Sequence, residues 1–242
     1  MNSLTQSFYG SIWSALDLIF PPACGGCGQP GVRWCVDCSK NVKVIQNPFC
    51  DSCGVPLKSN GICAVCQDER PRFTALRSWC VFEDPVQEAL HRLKYRSDIG
   101  LGDSLAGQML EFVRGLKWPV DMIVPIPLGR KRLKERGYNQ VGLIARPLAI
   151  ALGLEYAPHA LARRRETRSQ VGLSKDARRK NVRDAFVAAA RVNGKTILVM
   201  DDVATTGSTL SAGAEAFFLS GAKDVYALTV ARALPRHGLA NA

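Results

Sequence analysis

This 242-residue sequence lacks a long apolar run, has only three histidines, and carries no cysteine beyond position 80. A bilayer-spanning helix needs about 20 mostly apolar residues. The nearest candidate, Leu4 to Ile19, is interrupted by Thr5, Gln6, Ser7 and Asp17. It also lacks a basic leading region and meets Pro21-Pro22 with no small-residue cleavage signal, so it does not read as a secretory leader. Its apolar members Leu4, Phe8, Ile12, Trp13, Leu16 and Ile19 recur at helical spacing, predicting an amphipathic leading helix over 1–22 and a cytoplasmic chain without a membrane span. His91, His159 and His237 stand apart from any motif and read as structural. Acidic residues are outnumbered: 21 Asp and Glu face 32 Lys and Arg, a net charge of +11. Residues 1–70 hold five of each sign, so the whole excess lies in 71–242 and favours phosphate-bearing partners there. With 47% hydrophobic and 22% charged residues, the composition excludes a disordered or collagen-like chain.

The cysteines that are present are ordered. Eight of the nine form Cys-x-x-Cys pairs: Cys24/Cys27, Cys35/Cys38, Cys50/Cys53 and Cys63/Cys66. Two such pairs complete a four-thiolate tetrahedral zinc site with no position left for water, so two structural Zn2+ ions are expected over residues 23–70. Disulfides need an oxidising compartment, to which nothing here points, and redox dithiols come as one pair rather than four. The short gaps favour sequential sites, 24/27/35/38 and 50/53/63/66; a cross-braced pairing of first with third stays open. Cys80 reads as a core residue.

After residue 70 apolar segments alternate with helical patterns. The reading is a strand over 75–82, helices over 84–95 and 101–116, a strand over 122–126, and a basic loop over 128–139. There follow a helix over 140–152, an Arg-rich stretch over 163–183, a strand over 196–200, a loop over 201–207, a helix over 208–219 and a last strand over 224–231. The Asp84-Pro85 step reads as a helix start, Asp as N-cap and Pro at the first position. Alternation of this kind predicts an α/β domain over 71–242, a parallel sheet flanked by helices.

The most informative stretch runs from Ile197-Leu198-Val199-Met200 into Asp201-Asp202-Val203-Ala204-Thr205-Thr206-Gly207-Ser208-Thr209. In open α/β sheets ligands bind beyond the carboxyl ends of strands, and phosphates sit at helix N-termini. Backbone amides near Gly207 and the hydroxyls of Thr205, Thr206, Ser208 and Thr209 make a donor nest suited to a phosphate monoester. Asp201 and Asp202 supply oxygens for a sugar and its metal, and Mg2+ needs only one or two carboxylates. Gly194-Lys195-Thr196 mimics the end of a Walker A loop, but the earlier glycine of that motif would fall at Ala189, and the tripeptide enters a strand.

These residues carry a resemblance. Val199–Thr209 resembles the loop of type I phosphoribosyltransferases that binds phosphoribosyl pyrophosphate (PRPP), and the chain as a whole resembles the ComF family. The match runs in order through the leading helix, the double zinc ribbon, Leu93-Lys94-Tyr95, Val124-Pro125-Ile126-Pro127 and Arg136-Gly137-Tyr138-Asn139-Gln140. It continues through Ser169-Gln170-Val171-Gly172-Leu173 and Arg178 with Asn181-Val182. The resemblance implies a type I phosphoribosyltransferase-like fold. It implies that Asp201 and Asp202 contact the ribose hydroxyls, and that Ala204, Thr205, Thr206, Gly207, Ser208 and Thr209 hold the 5′-phosphate. For pyrophosphate it implies a set of candidates: Arg130, Arg132, Arg136, Asn139 and Gln140 after Pro127, and Arg163, Arg168, Gln170 and Arg178 from a flap. Thr205 stands where purine-salvage relatives carry an acid, so purine salvage is disfavoured and no catalytic base is named. Two functions are expected: Mg2+-dependent transfer of ribose 5-phosphate to an unidentified acceptor, tied by resemblance to natural transformation and DNA uptake, or a non-catalytic PRPP-sensing or single-stranded-DNA-binding module that docks a helicase or other competence partner.

Overall fold

The computed structural model describes residues 22–164 and 185–234. The expected leading helix and the candidates Arg168, Gln170 and Arg178 fall outside these residues. The strands are β1 (Ala75–Val81), β2 (Met122–Pro125), β3 (Glu155–Tyr156), β4 (Leu161–Arg163), β5 (Phe186–Ala188), β6 (Thr196–Ala204) and β7 (Asp224–Arg232). Five of them form one sheet, all neighbours parallel, in the order β1-β7-β6-β2-β3; β4 and β5 make a small antiparallel pair. The helices are α1 (Val36–Lys40), α2 (Ala64–Asp68), α3 (Val86–Tyr95), α4 (Leu101–Gly115), α5 (Arg130–Arg136), α6 (Gln140–Leu152) and α7 (Ser208–Leu219).

The two-residue period of a strand sorts the core into two layers. Leu198 and Met200 of β6 pack with Leu90 and Leu93 of α3, Leu105 of α4 and Ile144 and Leu148 of α6. Ile197 and Val199, pointing the other way, pack with Ala214 and Phe217 of α7 and Leu161 of β4. A sheet covered on both faces accounts for the unbroken apolar run 197–200. Cys80 is fully buried among the first layer, as expected, and Thr196 opens β6, so Gly194-Lys195-Thr196 does enter a strand.

Three local expectations are corrected. The 128–139 stretch is not a loop throughout: Arg130–Arg136 is helical, because Arg, Lys, Leu and Glu are good helix formers and Gly137, at φ 80°, stops the turn. The 196–200 strand continues to Ala204, since Asp201, Val203 and Ala204 stay in register with Thr229, Ala231 and Arg232 of β7. Helix α3 starts at Val86 with Pro85 as its N-cap and no capping side chain.

The cysteine-rich segment packs on the outer edge of β1. Ile45 donates to the Trp79 carbonyl at 3.0 Å and Val81 to the Lys43 carbonyl at 2.9 Å, with Val44 bridging Cys80 in antiparallel fashion. An edge strand is thereby covered.

Candidate functional site

Each Cys-x-x-Cys knuckle turns its two sulfurs to one side, and the chain brings the pairs together in sequence. Cys24, Cys27, Cys35 and Cys38 form one tetrad, and Cys50, Cys53, Cys63 and Cys66 the other, with the sulfurs of each set within 4.8 Å of one another. The sequential pairing is therefore the one adopted. Sulfur separations of 3.5 Å (Cys24–Cys38), 3.7 Å (Cys27–Cys35) and 3.8 Å (Cys53–Cys63) match the edge of about 3.8 Å expected for a tetrahedron of Zn–S bonds near 2.3 Å. They are far too long for disulfides. Backbone amides aim at the sulfurs: Cys35 N–H lies 3.3 Å from Cys24 Sγ, and Cys63 N–H 3.3 Å from Cys50 Sγ. Burial alone would raise both thiols, but amide donors outweigh it, bringing Cys24 to about 6 and Cys50 to about 7. Burial and neighbouring sulfurs push Cys38 and Cys66 up. A divalent cation relieves that crowding, so the donor sets fit two structural zinc ions.

The second constellation lies at the carboxyl end of the sheet. Strand β6 delivers Asp201 and Asp202 side by side, and alternation points them to opposite faces. Asp202, 8% exposed, is held by three donors. Lys94 Nζ lies 2.5 Å from its Oδ2, Gln140 Nε2 donates to the same oxygen at 3.1 Å, and Val203 N–H donates to Oδ1 at 2.8 Å. Burial opposes its charge, but Lys94 and these hydrogen bonds prevail and hold the carboxyl below its usual range. Asp201 is pushed up to about 7, by burial first and by the Asp202 charge second. The pair thus divides, with one acid ionised and the other near neutrality.

Beyond Ala204 the chain turns through Thr205 and Thr206 to Gly207, whose φ of 76° is the left-handed conformation that favours glycine. Gly207 caps the twelve-residue helix α7, and Thr206 Oγ1 and Ser208 Oγ lie 2.6 Å apart at its mouth. Residues 205–209 therefore stand at one helix N-terminus directly after the acidic pair, with the Thr206 and Ser208 hydroxyls paired there.

The cations sort differently from the sequence-based set. Arg163 reaches the loop after β2, donating from Nε to the Pro127 carbonyl at 3.3 Å, and its charge is felt by Asp201. Asn139 caps α6, accepting from Val141 N–H at 3.0 Å and donating to the Ile126 carbonyl at 2.9 Å. Gln140 is buried and relays Arg136, which donates to its Oε1, onto Asp202. Arg130 and Arg132 lie on the exposed helix α5. Lys94 is not among the site residues expected from sequence. Its signal is the Leu93-Lys94-Tyr95 segment; Tyr138 donates to the Leu93 carbonyl at 2.6 Å and Arg136 sits 5.5 Å from the Tyr95 ring centroid, which ties this helix end to 136–140.

Two cysteine tetrads ahead of a two-layered parallel sheet define a double-zinc-ribbon α/β protein. A double zinc ribbon domain family matches residues 15–67. DNA utilization protein YhgH of Escherichia coli K12 is 32% identical over 228 residues, covering 90% of this chain and 100% of that protein. Competence protein F of Haemophilus influenzae is 28% identical, covering 82% and 96%. The chain belongs to the ComF family. Among solved structures, glutamine PRPP amidotransferase from B. subtilis overlaps 53% of this chain and 26% of its own at 21% identity and a TM-score of 0.36; the fold described above rests on the strand order itself. Among the described residues no helix is long and apolar enough to cross a membrane.

Proposed function

We propose that the α/β domain binds PRPP and transfers its ribose 5-phosphate to an acceptor nucleophile. The observation that carries this reading is the placement of an asymmetric acid pair directly before a hydroxyl-rich, glycine-capped helix N-terminus at the carboxyl end of a parallel sheet. The helix mouth at 205–209 would take the 5′-phosphate. Asp201 and Asp202 would take the ribose hydroxyls. In the reaction the bond between C1 and the pyrophosphate oxygen breaks, its electron pair leaves with pyrophosphate, and the acceptor bonds to C1. Lys94 and Arg163, both near the acid pair, would supply cations for the charge that builds on the leaving group. Among the described residues only the cysteines group three or more ligand atoms, so Mg2+ would arrive with the ligand, its remaining coordination coming from pyrophosphate oxygens and water.

Calorimetric titration with PRPP and Mg2+ tests this. Binding is expected in wild type, loss of it in Asp201→Asn/Asp202→Asn, and a drop of roughly tenfold in Lys94→Met, the order of one charge-assisted hydrogen bond. Equal binding by all three, or none by wild type, overturns the reading.

One observation favours a second activity, sequence-independent binding of single-stranded DNA. Base stacking needs an exposed aromatic beside the cations. Tyr138, the aromatic within the basic stretches, is tied to Leu93, but Tyr95 is 68% exposed, beside Arg136 and with the His91 ring 4.9 Å away. Binding of an oligothymidine, followed by anisotropy, is expected to fall steeply with salt and to weaken in Tyr95→Ala. Salt-insensitive binding, or none at low salt, removes this activity.

A further inference from the structure

The second cysteine tetrad is linked to the 204–209 loop through one buried side chain. Arg232 ends β7 and is 4% exposed. Its Nη1 donates to the Cys53 carbonyl at 2.7 Å, and its charge is felt by all four sulfurs of that tetrad. Four thiolates around a divalent ion leave a net negative charge. A buried guanidinium is a suitable counter-ion, and buried arginine is tolerated only when paired. The first tetrad is different: Arg92 donates to the Cys24 carbonyl at 2.7 Å, but Asp98, also at 2.7 Å, already neutralises it.

The backbone of Arg232 is in register with Ala204, and the next amide, Ala233 N–H, donates to the Ala204 carbonyl at 2.9 Å. Ala204 immediately precedes Thr205–Thr209. A second contact runs through Leu76, whose amide donates to the Ser52 carbonyl of the same ribbon at 2.8 Å. A Cβ placed on Gly207 would meet the Leu76 side chain at 3.5 Å. The ribbon therefore reaches both flanks of the loop through one intermediary each, Arg232 before residue 205 and Leu76 at residue 207.

We propose that Arg232 is a positioning residue that couples metal occupancy of the 50/53/63/66 tetrad to the order of the 204–209 loop, while the 24/27/35/38 tetrad is not so coupled. Losing the metal, with the four thiolates taking up protons as it leaves, turns a net negative cluster into four neutral thiols. Arg232, left without a counter-charge, then shifts and loosens the β6–β7 ladder at Ala204. If the loop binds PRPP as proposed above, linkage requires that the ligand in turn retain this one metal ion.

The test uses full-length zinc-loaded protein without ligand. A chelator is added, released thiols are alkylated and mapped to one tetrad or the other, and amide exchange over 203–209 is followed by mass spectrometry. In wild type, faster exchange over 203–209 is expected to track alkylation of Cys50, Cys53, Cys63 and Cys66, and not that of the first tetrad. Arg232→Met is expected to release the second metal at least tenfold faster with the loop already loosened, Arg232→Lys to restore part of both, and Arg92→Met to leave both unchanged. Loop exchange that ignores the second tetrad in wild type, or that follows both tetrads equally, overturns the inference even if Arg232→Met fails to fold. PRPP with Mg2+ is added last: slower release of the second metal supports the coupling, whereas coupling seen without ligand but no response to PRPP upholds this inference and counts against PRPP as the ligand.

Discussion

Asp201 and Asp202 are chemically identical and adjacent, yet their neighbours separate them. Asp202 has Lys94 and Gln140; Asp201 has burial and the Asp202 charge. Asp201 therefore titrates near 7 when folded and near its ordinary 3.8 when unfolded. Between those values the folded state binds more protons, so this residue's contribution to stability falls as pH rises through that window. Asparagine has no proton to lose. Asp201→Asn is expected to melt like wild type near about pH 4 and several degrees above it at about pH 8, each ~1 kcal/mol of relieved burial being worth roughly 2–4 °C in a chain of this size. Scanning calorimetry across pH checks this, and an advantage that shrinks with rising pH contradicts the assignment. The acid pair is legible in the sequence because both acids end an apolar run. Lys94 lies in the Leu93-Lys94-Tyr95 segment that carries part of the resemblance, but its pairing with Asp202 is not legible there, because more than a hundred residues separate the two and it is one of many cations in a basic chain.

At the scale of elements, hydrophobic period serves well where a helix or strand packs on the core, and poorly elsewhere. Helix α6 is readable at both ends, with Asn139 as its side-chain cap and Gly153, at φ 71°, as its stop. Helix α5 reads as loop because its seven residues bury none of their side chains, leaving no apolar stripe to detect. The extension of β6 through two aspartates runs against strand propensity, and pairing with β7 overrides it. The ribbon–sheet contact gives a test at this scale. Gly54 sits at φ 69°, and a Cβ there would lie 2.4 Å from the Leu76 carbonyl oxygen. Gly54→Ala is expected to cost about 2–3 kcal/mol, combining left-handed strain with a backbone clash. Gly107→Ala, in α4 with open space at its Cβ, is expected to stabilise by about 0.5–1 kcal/mol. Denaturant titration reads both signs.

For the whole molecule, the ribbon module and the α/β domain meet along β1 and through buried contacts from Arg92 and Arg232. The composition break near residue 70 reads as a boundary between separable parts, but the shared edge argues against treating them so. A chain beginning at residue 71 would uncover one side of β1 and leave Arg232 without its carbonyl partner. It is expected to aggregate or to unfold at markedly lower denaturant than the full chain; a monomeric fragment of undiminished stability, judged by light scattering and denaturation, would show that the contact contributes little.

The sequence by itself determined the metal ligands, the alternation of strands and helices, and the acid pair with its hydroxyl-rich loop, because each is encoded by spacing within a few residues. Only the tertiary structure decided that the cysteine pairs combine in sequence, that Lys94 meets Asp202, and that Arg232 joins a ribbon to the loop. The cysteine spacing favours one pairing without excluding the cross-braced one, and the other two contacts join residues more than a hundred apart, brought together by the order of strands in the sheet, which no local pattern records.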